Sequence, residues 1–264
     1  MVAALYLASS HYQMNITNYE QAIAEKKMAE KFALGNFFCE IKTMLIWREF
    51  QISLRTSQIV NALNLYEKLK VAFDLEGNQK RIIFLMNQKS IILMMAHQFK
   101  AALELAEEAE LRMSQYKDQF NLKTIVDNKA WCYLNLKDYK NAITFLLESE
   151  KIGCTLADNL IFLPYCYYQE GDAYKARLQL ARMQETKDLD PEGRDILRLF
   201  QLLFEPNIKE YLNVSKKLIS RFREIGDRHL YEFFLNIEID FLEENNMQNE
   251  AEARRKELLL SMTS

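Results

Sequence analysis

Glycine and proline are scarce in this chain, which has 6 Gly and 3 Pro among 264 residues. Average proteins contain roughly 7% Gly and 5% Pro. Turns with positive φ, and rigid turns, depend mainly on these two residues. Their scarcity excludes β-sandwiches, propellers, collagen and proline-rich disorder. Neither GxGxxG nor GxxxxGK[ST] occurs, which argues against a nucleotide-binding fold. The sequence therefore predicts a mainly helical protein.

Membrane, nucleic-acid and disulfide signals are also missing. No stretch approaches the ~18 consecutive apolar residues of a membrane span, and residues 1–10 lack the positive n-region of a signal peptide. The net charge is −3, without a basic stripe. Cys39, Cys132, Cys154 and Cys166 show no CxxC spacing and lie in or beside apolar stretches, which favours free buried thiols. We expect a cytoplasmic protein without direct nucleic-acid or membrane contact.

Motifs for catalysis or metal binding are absent as well. His11, His97 and His229 lie far apart, with no HExxH motif and no cysteine at ligand spacing. No GxSxG nucleophile motif occurs. The glutamates within 104–110 fall on a helix face that should be solvated. We therefore predict no enzyme activity, no metal site and no cofactor.

An internal repeat is the strongest positive signal in the sequence. Four alanines recur 40 residues apart, and a fifth copy follows after 34 residues: Ala22, Ala62, Ala102, Ala142 and Ala176. In the first four copies a large apolar residue stands three positions before the alanine. A small residue lets two helices approach closely, and the large residue one turn away fills the adjoining hole. Apolar residues recur with a period of 3.6 on both sides, so each copy predicts a helix, a short turn and a second helix.

A second column lies twelve positions before the alanines of the first four copies, and it is mostly small: Ser10, Phe50, Ser90 and Ala130. Phe50 departs from that pattern, and Pro164 stands at the corresponding place in the fifth copy. Proline there should begin or kink the helix.

Residues 128–143 resemble a tetratricopeptide repeat (TPR). They carry the small residue of the first helix (Ala130), an aromatic residue three positions on (Tyr133), an Asp-Tyr turn and the alanine of the second helix (Ala142). Residues 167–176 give a second good copy, and the other three are degenerate. This resemblance implies an all-α, right-handed TPR-like superhelix of about seven helical hairpins.

The repeats suggest how the chain is organised. We expect five TPR-like repeats over residues 1–183, and helical pairs over 184–264 that continue and cap the solenoid. Residues 184–195 predict a longer polar connection, followed by helices at 196–204, 211–225, 230–242 and 249–260. Because the chain starts inside the first repeat, we expect that an N-terminal effector domain, such as a helix-turn-helix, is absent from it.

The first helix of each repeat offers candidate groove residues beside the small column. Amide side chains donate to and accept from a peptide backbone at once, and aromatic rings supply apolar contact at low entropic cost. This lining suits an extended peptide better than a phosphate or a metal; an ordinary solvated or self-packed surface is the alternative. The predicted peptide-binding residues are Trp47, Gln51, Asn87, Met94, Asn128, Trp131, Tyr165, Tyr168 and Asn236, with Arg48 and Arg55 at one end.

Repeats of mostly 40 residues, against 34 for a generic TPR, resemble the C-terminal sensing domains of Gram-positive peptide-pheromone receptors of the Rap, Rgg, NprR, PlcR, PrgX and AimR type. The resemblance implies a quorum-sensing domain of a transcriptional regulator. Such a domain binds a short signalling peptide in its concave groove, often through asparagines placed like Asn87 and Asn128, and relays binding by a change in superhelix. It also implies a homodimer formed through the C-terminal helices. The alternative is a constitutive TPR scaffold for protein–protein interaction.

Overall fold

The computed structural model of the chain describes residues 2–15, 18–32, 39–56, 58–116, 119–153, 159–186, 189–205 and 207–263. These residues form fourteen α-helices and no strand, which confirms the predicted all-α class. The helices are α1 Val2–Asn15, α2 Tyr19–Phe32, α3 Cys39–Arg55, α4 Ile59–Glu76, α5 Gln79–Met95, α6 Phe99–Met113, α7 Gln119–Asn135, α8 Tyr139–Lys151, α9 Leu163–Gln169, α10 Ala173–Glu185, α11 Pro191–Gln201, α12 Ile208–Glu224, α13 Arg228–Glu244 and α14 Gln248–Thr263.

Short turns join neighbouring helices into hairpins. Between α7 and α8, Lys137 adopts a left-handed backbone conformation with φ of +58°. The Asp138 N–H donates to the Tyr133 carbonyl at 3.0 Å, which closes the end of α7 in a Schellman arrangement. His97, Gly171 and Asn246 take the same left-handed place in the turns before α6, α10 and α14. Non-glycine residues thus occupy several positions that glycine would favour, which explains how the chain turns so often with so little glycine.

Aspartate and asparagine side chains begin many of the helices. The Asp138 carboxylate accepts from the Asn141 N–H at 3.2 Å, and Asp172 accepts from the Lys175 N–H at 3.0 Å. Such N-caps satisfy backbone donors that have no partner within the helix. The polar turn residues predicted from the repeat therefore have a defined structural role.

We expect Asp138→Ala to lower the free energy of unfolding by about 1 kcal/mol, because the Asn141 N–H and the Asn141 side-chain amide lose their acceptor. Asp138→Asn should retain most of the stability, since an amide oxygen also caps a helix. Lys140→Ala, at an exposed site two residues later, is the matched control and should change stability by less than ~0.5 kcal/mol. Urea denaturation followed by circular dichroism measures all three. Equal midpoints for the alanine and asparagine variants would contradict the capping role.

The repeat columns form the packed contacts between helices, as predicted. All five aligned alanines have 0% exposure, and so do the residues seven positions after the first four: Ala29, Leu69, Ala109 and Ser149. In the first hairpin the Ser10 hydroxyl donates to the Ala22 carbonyl at 2.8 Å, so the two columns meet directly. The small residues therefore set the close approach of paired helices.

The helices after residue 184 differ in detail from the sequence prediction. The expected connection over 184–195 is too long, because α10 continues to Glu185 and α11 begins at Pro191. Asp190 caps α11 by accepting from the Gly193 N–H at 2.6 Å, and a proline at the first helical position loses no hydrogen bond. Pro164 lies in the first turn of α9, so its predicted role in starting that helix is confirmed.

The chain consists of two compact units, residues 1–128 and 129–264. In the first unit α1 packs against α2, α3 against α4, and α5 against α6. A cluster around Phe50, Leu65 and Leu69 forms one part of its core. In the second unit α9 packs against α10, and α13 packs against both α12 and α14. Its core is a continuous cluster that includes Tyr165, Phe200 and Phe234. The predicted domain boundary at residue 183 stays a prediction.

Candidate functional site

Trp47 lines an open cleft of about 770 Å³ in the first unit. The indole ring lies with its centroid 6.4 Å from that of Phe73 on α4 and 5.5 Å from that of Phe84 on α5. Met44 and Thr43, one turn earlier on α3, complete that wall of the cleft. Pockets that bind small ligands are mostly apolar and aromatic, with a few polar groups that fix orientation. The cleft therefore suits an apolar side chain.

The polar groups at the rim of the Trp47 cleft already have partners. Arg81 Nη1 lies 2.9 Å from a Glu76 carboxylate oxygen, and the guanidinium lies 5.5 Å from the centroid of the Phe73 ring. Asn78 caps α5 by accepting from the Arg81 N–H at 3.2 Å. These pairings leave little uncompensated charge, so the cleft is a poor match for a phosphate.

Asn87 and Asn128, the two asparagines singled out in the sequence, lie in contact in the first unit. Asn128 Nδ2 donates to Asn87 Oδ1 at 2.8 Å, and Asn87 Nδ2 donates to the Thr124 hydroxyl at 3.1 Å. Asn87 is only 1% exposed, whereas Asn128 is half-buried. Asn87 therefore holds the Asn128 amide in place, and the Asn128 side-chain oxygen takes no part in this network.

A third polar group joins α1 to α3 in the first unit. Arg48 Nη1 lies 2.8 Å from His11 Nδ1 and 2.8 Å from Gln51 Oε1. His11 must accept through Nδ1, which requires the neutral ring. Partial burial, and then the positive charge of Arg48, lower the pKa of His11. Gln51, a predicted groove residue, thus lies beside Arg48. From the sequence, Arg48 is expected only at one end of the groove. The Arg55 side chain lies outside the described part of the structure.

In the second unit Trp131 belongs to an aromatic cluster. Its ring centroid lies 5.3 Å from that of Phe162 and 5.4 Å from that of Phe233. His229 stands edge-on at 6.5 Å. Trp131 is half-buried, so part of the ring remains accessible at the edge of the core.

The other predicted groove residues differ in their accessibility. Met94 and Tyr165 are core residues, with 4% and 2% of their surface exposed. Tyr168 is half-buried, with its ring 5.2 Å from that of Phe204. Asn236 is exposed, and its amide donates to the Glu232 carbonyl at 2.9 Å. A role in peptide binding stays a prediction for all of them.

The cysteines that can be placed are buried. Cys132 and Cys166 are free and have no exposed surface, as predicted. Burial raises the pKa of the Cys132 thiol to about 12 and that of Cys166 further, so neither is reactive near neutral pH. Cys154 and the side chain of Cys39 lie outside the described residues.

Metal-binding clusters and membrane-spanning helices are both missing from the described ranges. No cluster of three or more His, Cys, Asp or Glu side chains there is placed to hold a metal ion. None of the helices described has the length and apolar character needed to cross a membrane.

Comparison with known proteins gives structural matches only. No protein-family model matches the chain, and no curated protein sequence matches it. A crystal structure of a Rap protein complexed with Competence and Sporulation Factor matches with a TM-score of 0.80 and 17% identity, over 99% of this chain and 74% of that one. The apo form of RapI matches with a TM-score of 0.70 and 16% identity, over 99% and 75%. The chain therefore has the TPR-like helical fold of Rap proteins.

Proposed function

We propose that this chain is a peptide-sensing regulatory domain that binds a short signalling peptide. The observation that carries the proposal is its structural match, over nearly its whole length, to a Rap protein complexed with Competence and Sporulation Factor. The resemblance of the repeats to peptide-pheromone receptors points in the same direction. A fold hosts many functions, so the residues of the site must also fit the ligand.

The first unit supplies groups suited to a peptide. The Trp47 cleft can take an apolar side chain between three aromatic rings. The Asn128 amide, positioned by Asn87, can bond to a peptide backbone through its remaining oxygen. Aromatic anchors and a fixed amide together give affinity and direction, because neither has to be ordered on binding.

In this proposal the signal is relayed by population shift. A peptide that binds one arrangement of the helices better than another draws the chain toward that arrangement. The altered helix packing would act on the effector domain of a transcriptional regulator, and the C-terminal helices would join two copies in a homodimer. Leu259 and Leu260 are exposed on α14, the last of those helices.

Intrinsic fluorescence tests the proposal. Because Trp47 and Trp131 are the two tryptophans of the chain, Trp131→Phe leaves Trp47 as the reporter. Fractions of short peptides from a cell-free culture extract should change its emission saturably. Asn128→Ala should then weaken binding about tenfold, the loss of one hydrogen bond. With Trp131 as reporter, Trp47→Leu should weaken it by roughly 30-fold or more, the size of an aromatic hot spot.

Leu75→Ala provides the control for these variants. Leu75 is 84% exposed and lies outside the lining of the cleft, so binding should be unchanged. No response to any peptide fraction, with capture of one stable protein partner instead, would replace the proposal by the scaffold function. Unaltered binding by both Trp47→Leu and Asn128→Ala would remove the first unit as the site.

A further inference from the structure

Arg48 differs from most other arginines of the chain in its partners. The described arginines that pair with a carboxylate are Arg81, Arg112, Arg182, Arg198, Arg221, Arg223, Arg228, Arg254 and Arg255. Arg48 has no carboxylate partner among the described residues, although it is half-buried. The acidic residue next to it, Glu49, bonds instead to Lys26 at 2.8 Å.

The groups that do contact Arg48 are neutral acceptors. Arg48 Nη1 donates to both His11 and Gln51, whereas Nη2 donates to none of the described residues. Nε is buried without a partner. Burial also lowers the pKa of the guanidinium. Desolvating a half-buried guanidinium whose donors are unused costs free energy, and a bound anion offsets that cost.

We propose that Arg48, oriented by His11 and Gln51, binds a carboxylate of the ligand peptide. Nη2 is the donor left for a carboxylate, and charge-assisted bonds of this kind are about twice as strong as neutral ones. Gln51 and His11 hold Nη1 from two helices, so the guanidinium is oriented before the ligand arrives. Trp47, the neighbouring residue on α3, lines the cleft for an apolar side chain.

The inference rests on the proposed function for the identity of the ligand, but the site itself can be tested without a peptide. The carboxylate can come from the C-terminus of the peptide or from an Asp or Glu side chain. Both sources present the same two oxygens to Arg48, and the experiment separates them.

The first experiment uses sodium acetate as the probe and the His11 ring resonance as the readout. Three histidines make the spectrum simple, and His11→Gln assigns the signal. Acetate should shift the His11 resonance saturably, with a dissociation constant of about 10–100 mM from the charge-assisted bonds alone. Sodium chloride at equal ionic strength should not. Arg48→Gln should abolish the shift, and Arg48→Lys should reduce it because an ammonium lacks the fixed planar donors of the guanidinium.

Arg81→Gln is the matched control, because Arg81 is an arginine of the same unit that already has a carboxylate partner. It should leave the acetate response of His11 intact. The inference is overturned if acetate gives no shift in the wild-type chain, if chloride gives the same shift, or if the shift persists in both Arg48 variants.

The second experiment uses a peptide that the fluorescence test has identified. Three forms of it are synthesised: the free acid, the C-terminal amide, and a form whose acidic side chains are changed to amides. The form that lacks the recognised carboxylate should bind about tenfold more weakly, and Arg48→Gln should remove that difference. Equal binding of all forms to the wild-type chain overturns the inference and leaves the proposed function standing. An acetate site at Arg48 in a chain that binds no peptide supports the site and overturns the proposed function.

Discussion

Phe50→Ala is expected to lower the free energy of unfolding by about 3–5 kcal/mol. The TPR pattern has a small residue at this position, so the motif alone would suggest that alanine is harmless. The structure gives the opposite expectation. Phe50 is 0% exposed, packs in the cluster of α3 and α4, and has its ring 5.5 Å from that of Trp47. Removing the ring leaves a cavity that rigid paired helices can fill only in part.

The measurement is urea denaturation followed by Trp47 fluorescence in the Trp131→Phe background, which reports on the first unit. Val60→Ala is the control, because Val60 is 74% exposed on α4 and should change stability by less than ~0.5 kcal/mol. A Phe50→Ala variant as stable as the parent would show that the helices close over the lost volume.

The second large effect is expected at Glu238, a carboxylate buried within the second unit. Arg254 Nε donates to Glu238 Oε1 at 2.6 Å, and the Ser215 hydroxyl donates to its other oxygen. The Glu238 side chain is only 2% exposed. Arg254→Met should therefore cost about 3 kcal/mol, because it leaves a buried negative charge without its cation.

Neighbouring residues provide sharp controls for the Glu238 prediction. Arg255 also pairs with a glutamate, Glu243, but its side chain is half exposed, so Arg255→Met should cost less than ~1 kcal/mol. Adding Glu238→Gln to Arg254→Met should restore much of the loss, since the uncompensated charge is gone. Thermal unfolding of the wild-type chain, Arg254→Met, Glu238→Gln and the double variant gives the coupling free energy. Additive effects would mean that Glu238 and Arg254 are not a coupled pair.

The repeat columns made much of the fold predictable. Five buried alanines and their partner column follow from spacing alone, because close helix packing needs small residues at fixed intervals. Ala251 is a buried alanine that the repeat spacing does not identify. It is 0% exposed in α14 and lies 40 residues after the equally buried Tyr211. Since Tyr211 is large, the pattern of small residues in the alanine column does not extend beyond Ala176.

The site was less predictable than the fold. Asn87 and Asn128 were placed on successive repeats, but how far each is buried depends on the packing angle between hairpins. The same ambiguity put Met94 and Tyr165 among the groove residues, although both lie in the core. The contact between Arg48 and His11 joins residues 37 positions apart in different hairpins, and no local pattern encodes it.

The left-handed turns between paired helices also determine which changes in chain length the protein can accept. One inserted residue between Leu136 and Asp138 would disrupt the bond from the Asp138 N–H to the Tyr133 carbonyl, which closes the turn before α8. The helix would then lose the fixed entry that brings the buried Ala142 against its partner helix. Homologous chains should therefore keep the length of these turns, and should place insertions in the six-residue connection between α11 and α12 instead.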